Sequence, residues 1–185
     1  MLSDRDKQAI ENIKDNLTKL EWEFLDQSNA IEGEFGEEAY ADAEDAYAYA
    51  KYCNNQRLAF DANTLLEIHR RLMQRLNPRI AGKFRDCTVY VGNHIAPKKP
   101  EQELRAEVNI NLAYIHKGRR KHFWSVPDRE KHAKKTHVEF EKIHPFEDGN
   151  GRVGRILWQI HRSNLDLPMK VIYDADKHYY YRWFK

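Results

Sequence analysis

The chain has 185 residues, of which 41% are hydrophobic and 32% are charged, and its formal net charge is +2. This composition is typical of a soluble folded domain and excludes a disordered chain, and the length suffices for one domain with a substantial core. No apolar run approaches the roughly 18 residues that a membrane span needs, and the N-terminus lacks the features of a secretion signal. Cys53 and Cys87 are the only cysteines, so we expect free thiols and a cytoplasmic location.

Charge is distributed unevenly along the chain. Residues 1–50 contain four Lys or Arg against fourteen Asp or Glu, whereas residues 116–135 contain eight basic and two acidic residues. A basic segment of this kind can bind nucleic acid or an acidic partner. A solvated helical corner is the favoured interpretation, because only Phe123 and Trp124 supply aromatic rings within the basic segment.

Hydrophobic spacing predicts helices through the first part of the chain. Apolar residues three and four apart predict one helix over 4–26. The segment 27–36, QSNAIEGEFG, then places turn formers on both sides of a short Ala-Ile-Glu. The alanine-rich stretch 37–52 predicts a second helix. A third is predicted over 61–76, ended by Asn77-Pro78, because proline disfavours the helical conformation of the residue before it.

A short hairpin is predicted in the middle of the chain. Val89, Tyr90 and Val91 favour β-structure, and Gly92-Asn93 is a turn signal. Helical periodicity then returns, and further helices are predicted over 104–115, 128–143 and 150–162, with a short one after Pro168. The predicted fold class is therefore mainly α, a single helical domain with a small β-hairpin.

The string HPFEDGNGRVGR, residues 144–155, is the most informative segment. Gly149 and Gly151 permit positive φ and leave no side chain over the backbone. A loop of this kind leading into a helix directs N–H donors and the positive end of the helix dipole at one point, which makes an anion site. Arg152 and Arg155 lie on one helix face, and their guanidinium groups suit phosphate oxygens.

Two further residues of the string extend this chemistry. Asp148 stands at the edge of the loop, where a carboxylate beside phosphates suggests Mg²⁺. His144 has an imidazole whose ordinary pKa suits it to take a proton from a hydroxyl group at neutral pH. The Walker pattern is absent, so the segment is not a P-loop. The string therefore predicts a site for nucleotide phosphates, a metal ion and a general base.

This string resembles the signature of the Fic family, HxFx[DE]GNGRxxR, at every defined position. Upstream, LLEIHRRLM (65–73) followed by AGKFR (81–85) resembles the lead-in to the hairpin flap of that family, so the resemblance covers roughly 60–170. It implies a Fic-like catalytic core over 59–185, preceded by N-terminal helices over 1–58 within one domain.

The resemblance also implies an activity, that of a protein adenylyltransferase, which moves AMP from ATP to a Ser, Thr or Tyr hydroxyl of a protein and releases pyrophosphate. It assigns His144 as general base and Asp148 as ligand of Mg²⁺. The ATP-binding residues that it implies are Gly149, Asn150, Gly151, Arg152 and Arg155, with Arg155 at the γ-phosphate. It also implies that Phe146 packs in the core, and the kinase branch of the family is disfavoured because it has lysine where Gly151 stands.

The flap that the resemblance implies would hold the target segment by strand addition. Its residues are Arg85, Asp86, Cys87, Thr88, Val89, Tyr90, Val91 and Gly92. The implied partner is a protein of unknown identity, and self-modification at Tyr179, Tyr180 or Tyr181 is an alternative to the packing of these rings in the core. The first helix could form a homo-oligomer surface, no membrane is involved, and nucleic acid is the less favoured partner.

A second motif precedes the core. Residues 28–33, SNAIEG, match the inhibitory pattern [ST]xxxE[GN] of the Fic class with an N-terminal inhibitory helix. Ser28 could cap a short helix and Gly33 could end it, leaving Glu32 to project onto the anion site. The resemblance makes Arg155 its partner. Two alternatives remain open, namely removal of AMP from a modified protein at the same site, and a nucleotide-regulated interaction module without transfer.

Overall fold

Eight α-helices and one β-hairpin make up the part of the chain that the computed structural model describes, residues 2–91, 94–118 and 124–184. The helices are α1 (Asp4–Lys14), α2 (Lys19–Glu32), α3 (Glu37–Asn55), α4 (Ala62–Met73), α5 (Glu101–Gly118), α6 (Val126–Ile143), α7 (Asn150–Asn164) and α8 (Lys177–Tyr181). Short 3-10 helices at Asp174–Asp176 and Arg182–Phe184 flank α8. The prediction of a mainly α fold with a small hairpin is confirmed.

The hairpin consists of β1 (Val89–Val91) and β2 (His94–Ala96), paired antiparallel with Tyr90 opposite Ile95. The predicted Gly92-Asn93 turn lies outside the described residues. None of the described helices is long and apolar enough to cross a membrane.

Helix α7 lies at the centre of the molecule. Every residue from Arg152 to Arg162 is buried, because helices α2 to α6 all pack against it. A helix buried on all sides is expected to be apolar all round, yet α7 contains three buried arginines. The main hydrophobic core extends from Ile10 to Ile160, so the segments 1–58 and 59–185 share one core.

The predicted single helix over 4–26 is wrong, because the chain forms two helices that break between Lys14 and Lys19. Thr18 caps α2 by accepting the N–H of Glu21, and the Glu21 carboxylate accepts the N–H of Thr18 in return. This capping box satisfies backbone groups that a continuous helix would otherwise bond internally. The Thr-x-x-Glu spacing was the available signal for the break.

The segment 27–32 is also helical, contrary to the predicted turn formers around Ala-Ile-Glu. Ser28 lies inside α2 and is buried, so the expectation that it caps a short helix is wrong. Gly33 ends α2 in the left-handed conformation, with φ of 75°, as the sequence suggested.

Helix α4 begins at Ala62, one residue after the predicted start, with Asp61 as its cap, but it ends at Met73 rather than near 76. The carboxylate of Asp42 on α3 accepts the backbone N–H groups of Arg75 (2.8 Å) and Leu76 (3.3 Å). These two donors would otherwise bond to helix carbonyls, so a buried side chain from another helix ends α4 before Asn77-Pro78 does.

Candidate functional site

The loop that joins α6 to α7 is fixed by one asparagine and one phenylalanine. The Asn150 side chain accepts the backbone N–H of Phe146 and donates to its carbonyl, both at 2.9 Å. The Phe146 ring is fully buried and stacks on His69 at 3.7 Å between ring centroids. The loop is therefore held rigidly in front of the first turn of α7, where Gly149 has φ of 78°.

His69 on α4 provides a second attachment for the loop. Its Nδ1 accepts the backbone N–H of Gly82, which leaves the ring proton on Nε2 to donate to the carbonyl of Asp148 at 3.1 Å. Burial lowers the pKa of His69 to about 4, so the ring is neutral. In the sequence, His69 stands out only as part of the segment that resembles the lead-in to the flap. No local pattern indicates which groups it bonds.

His144 ends α6 in the left-handed conformation, with φ of 47°. Its Nδ1 lies 3.2 Å from the carbonyl of Glu141, so Nδ1 holds the proton and Nε2 presents a lone pair. Burial lowers the pKa of His144 below its ordinary value, with the Arg85 charge acting in the same direction. The ring is therefore neutral at neutral pH and suited to accept a proton.

Arg85 connects this loop to the base of the hairpin. Its Nε donates to the carbonyl of His144 at 2.7 Å, its backbone N–H donates to Pro145, and its Nη1 donates to the carbonyls of Cys87 and Pro97. The side chain is 3% exposed, so it anchors the hairpin rather than forming part of its surface.

The predicted flap is thus divided in two by the structure. Residues 85–88 precede the hairpin, residues 89–91 form β1, and Gly92 lies outside the described residues. Tyr90 is 74% exposed on β1 and Ile95 opposite it is 54% exposed.

Arg152 and Arg155 both extend from the first turns of α7 and are each 1% exposed. Nη2 of Arg152 contacts the Met73 sulfur at 3.4 Å, whereas its Nε and Nη1 have no hydrogen-bond partner among the described residues. A buried guanidinium with open donors is costly unless an anion satisfies them. Arg152 therefore fits a phosphate at the N-terminus of α7.

Glu32 lies beside Arg155 at the first turn of α7. Nη2 of Arg155 donates to Oε1 of Glu32 at 2.7 Å and to the carbonyl of Ser28 at 2.9 Å, and its Nε donates to the Ser28 hydroxyl. A Cβ on Gly151 would overlap Oε1 of Glu32, so this carboxylate lies directly over the first turn of α7. The end of α2 thus places an anion where the sequence predicted phosphate binding.

Glu34 is a second carboxylate at this end of α2, and sequence reasoning missed it. Its Oε1 is 3.6 Å from Nη2 of Arg152. Because Gly33 between them turns the chain into the left-handed conformation, Glu32 faces Arg155 while Glu34 faces Arg152. Two glutamates flanking a predicted helix-ending glycine were the available signal.

Asp148 occupies the open edge of the loop, and its side chain is 60% exposed. Its Oδ1 accepts the backbone N–H of Gly149 at 2.6 Å, and its Oδ2 is 3.9 Å from Arg152. Among residues 2–91, 94–118 and 124–184, no three His, Cys, Asp or Glu side chains could enclose a metal by themselves. An exposed carboxylate beside an anion site fits Mg²⁺, which typically takes one or two carboxylates together with phosphate oxygens and water.

Two other sequence predictions concern the C-terminal tyrosines and the basic segment. Tyr180 is buried and its hydroxyl bonds His137 at 2.8 Å, whereas Tyr179 and Tyr181 are 55% and 41% exposed. The basic segment 116–135 includes residues 119–123, which lie outside the described part of the chain.

Comparisons with known proteins identify relatives of the chain. Two relatives named protein adenylyltransferase Fic match the chain, one from Aedes aegypti at 30% identity over 147 residues and one from Drosophila erecta at 32% over 141 residues. These alignments cover 75% and 73% of this chain but only 27% of either relative. The chain therefore spans about a quarter of the length of the curated relatives that it matches.

Solved structures give the same fold. A segment of Fic-1 from C. elegans superposes with a TM-score of 0.71 at 16% identity, covering 96% of this chain and 62% of the other. A Fic domain containing signaling protein from Bacteroides thetaiotaomicron gives 0.70 at 20% identity, covering 98% and 74%. The model of the Fic/DOC family matches residues 59–161, which is more than half of the chain. The chain therefore belongs to the Fic/DOC family.

Proposed function

We propose that the protein is a protein adenylyltransferase, which transfers AMP from ATP to a Ser, Thr or Tyr hydroxyl of a protein and releases pyrophosphate. The observation that carries the proposal is the pair of buried arginines at the N-terminus of α7, of which Arg152 has two open donors. The neutral His144, at the other end of the same rigid loop, adds a group that can accept a proton. Membership of the Fic/DOC family and relatives named protein adenylyltransferase support it.

The reaction follows from the positions of these groups. The backbone N–H groups of Asn150 and Gly151 and the guanidinium of Arg152 bind the phosphates of ATP. Nε2 of His144 takes the proton of the target hydroxyl, whose oxygen forms the new bond to the α-phosphorus. The bond from that phosphorus to the oxygen bridging the β-phosphate breaks, and pyrophosphate leaves. Asp148 would hold Mg²⁺, which neutralises phosphate charge when bound.

The hairpin is proposed to bind the target. A short strand pair can accept an extended segment through main-chain hydrogen bonds, and the exposed Tyr90 and Ile95 side chains offer apolar contacts on one face. Arg85 supports this role because it bonds both the hairpin base and the carbonyl of His144, which fixes the distance between the bound segment and the base.

Glu32 is proposed to inhibit the transfer. Its carboxylate contacts Arg155 at 2.7 Å, and Arg155 is the residue that the family resemblance assigns to the γ-phosphate. The inhibitory contact thus competes with one phosphate group rather than with the whole nucleotide. Coupling free energies of this kind are typically about 1–3 kcal/mol, which corresponds to about 5–150-fold.

The test uses ATP labelled at the α-phosphate, with Mg²⁺ and either the chain alone or added cell protein as acceptor. We expect Glu32→Gly to label protein about 5–150-fold faster than the wild-type chain and His144→Ala in the same background to abolish labelling. Glu37→Gly, at an exposed position just after the motif, serves as the matched control and should behave as wild type.

Two outcomes would contradict the proposal. Equal labelling by the wild-type chain and Glu32→Gly would remove the inhibitory role of Glu32. ATP binding without transfer by any variant would favour the nucleotide-regulated interaction module, in which the site only alters the affinity for a partner.

Removal of AMP at the same site is a second candidate, and the position of Glu32 favours it. The carboxylate is one third exposed and lies over the anion site, where it could orient a water molecule toward a phosphoryl group. Release of AMP from a previously labelled protein by the wild-type chain, but not by Glu32→Gly, would establish this activity.

A further inference from the structure

Glu141 is a buried carboxyl group beside the proposed base, and the mechanism above gives its side chain no role. It lies in the last turn of α6 and is 6% exposed. Its Oε2 is 3.9 Å from Nδ1 of His144, the ring atom that already bonds the Glu141 carbonyl. Its Oε1 has no hydrogen-bond partner among the described residues. A buried carboxyl group with an open oxygen is costly, which makes Glu141 a candidate for a chemical role.

The neighbours of Glu141 make room for it without neutralising it. A Cβ on Gly154 of α7 would overlap its Oε1, so the carboxyl group occupies the space that a side chain at 154 would need. His137 on α6 offers it no proton, because the two ring nitrogens bond the Gly154 carbonyl and the Tyr180 hydroxyl of α8.

Two charged groups shift the pKa of this carboxyl group in opposite directions. Burial raises the pKa of Glu141 to about 8, the Arg155 charge on α7 opposes this, and the Glu32 charge on α2 adds to it. Withdrawal of Glu32 from the site therefore lowers the pKa of Glu141. The inhibitory glutamate thus affects the protonation of a second carboxyl group next to the base.

We propose that Glu141 is a positioning residue for His144: its carboxylate faces the Nδ1–H group and stabilises the positive charge that the ring acquires when Nε2 takes the hydroxyl proton. The inference rests on the proposed function. The Nδ1 proton stays on the ring throughout, and the transferred proton resides on Nε2 while the oxygen bonds to the α-phosphorus. A protonated Glu141 lacks this effect, so transfer accelerates as Glu141 loses its proton.

The kinetic test compares the Glu32→Gly variant with the double variant Glu32→Gly and Glu141→Gln. Glutamine is chosen because it has the shape of the protonated acid at every pH. Self-labelling from α-labelled ATP is measured at saturating nucleotide from pH 6 to 9. We expect the ratio of the parent labelling rate to that of the glutamine variant to grow by about tenfold or more from pH 6 to 9, as for loss of a group that assists general base catalysis. A deficit that is constant with pH would indicate a structural role only and overturn the inference.

Glu139→Gln is the matched control for this comparison. Glu139 lies two residues earlier on the same helix, and its side chain is 41% exposed. Its substitution removes the same charge from α6 but not from the site, so its rate relative to the parent should be the same at every pH. A deficit at Glu139 equal to that at Glu141 would assign the effect to the net charge of the helix and overturn the inference.

A second measurement needs no transfer at all. In the wild-type chain, the ¹⁵N signals of the His144 ring should shift once as the ring itself titrates and again near pH 8, where Glu141 ionises. Glu141→Gln should abolish the second step, and a single step in the wild-type chain would overturn the inference. Absence of labelling with an intact second step would overturn the proposed function instead, so the two failures are distinguishable.

Discussion

At the scale of single residues, the three buried arginines of α7 differ in what compensates them. Arg162 is satisfied by a two-point contact with Glu130 and by the Pro168 carbonyl. Arg155 is paired with Ser28 and Glu32 of another helix through its Nε and Nη2, whereas its Nη1 has no partner among the described residues. Arg152 keeps two open donors. The fully paired Arg162 is therefore structural. The two arginines nearest the helix N-terminus keep unpaired donors, which fits the anion site proposed above, because a buried charge persists only where a counter-charge is available.

The contact of Glu34 with Arg152 leads to a prediction at this scale. Glu34→Gln removes a carboxylate from the open arginine, so a phosphate no longer competes with it. Because the Glu34 side chain is about one third exposed, solvent screens the contact, and we expect affinity for a non-hydrolysable ATP analogue to rise by only about 2–5-fold. Calorimetric titration measures it.

Glu38→Gln is the control for that titration, since Glu38 is exposed in the first turn of α3. Equal affinities for the wild-type chain and Glu34→Gln would show that Glu34 does not compete with nucleotide.

At the scale of elements, α2 is held against its neighbours by side chains in its first half and at its middle. Near its start, Glu21 accepts hydrogen bonds from the Tyr47 hydroxyl (2.9 Å) and Lys51 (2.5 Å) of α3. Farther along, Glu23 accepts from the Tyr173 hydroxyl, and Gln27 accepts the backbone N–H of Asp174. The C-terminal segment therefore helps to set the position from which Glu32 reaches Arg155.

The cap of α2 gives a prediction at this scale. Thr18→Ala removes the capping hydroxyl and should lower the free energy of unfolding by about 1 kcal/mol. Because the loss falls on the helix that holds Glu32, transfer by the otherwise unchanged chain should rise by up to about fivefold. Urea unfolding and labelling from α-labelled ATP measure the two effects.

Ser3→Ala is the matched control, since Ser3 caps α1 with the same capping-box geometry but α1 contributes no residue to the site. It should lower stability similarly and leave labelling unchanged. A rise in labelling with both variants would indicate general loosening rather than release of α2.

At the scale of the whole molecule, buried titratable groups should give stability a maximum near neutral pH. Burial lowers the pKa of His69 to about 4 and that of His137 to about 3. Between these values and 6.5 the unfolded chain binds more protons, so the free energy of unfolding falls as pH falls. Glu141 acts in the opposite sense, because its raised pKa makes the folded chain bind more protons between 4.5 and about 8.

We therefore expect the free energy of unfolding to be greatest at about pH 6–7 and to decline on both sides. Glu141→Gln should remove much of the alkaline decline and move the maximum upward in pH. Urea unfolding at pH 5, 6.5 and 8 measures this. If the stability difference between the wild-type chain and Glu141→Gln were the same at pH 6.5 and pH 8, Glu141 would not titrate in this range.

The sequence predicted the elements of the fold well wherever local signals suffice. Hydrophobic period and proline and glycine positions placed α3, α6, α7 and the hairpin close to where they lie. The prediction merged the first two helices because two signals conflict there. The Thr18 capping box is visible in the sequence, but it is a weaker signal than the apolar periodicity that runs across it. The end of α4 was not predictable, because Asp42 lies over thirty residues away in the chain.

The sequence by itself determined the chemistry of the candidate site, because HPFEDGNGRVGR contains the proposed base, the carboxylate, the glycines and the arginines within one loop and the start of one helix. Only the tertiary structure decided how those groups are charged and paired. The open donors of Arg152, the approach of Glu34 and the burial of Glu141 depend on helices far apart in the chain, whereas the tautomer of His144 depends on how α6 ends. Burial and the distances between charges set protonation and pairing free energies, and neither is encoded in the spacing of residues along the sequence.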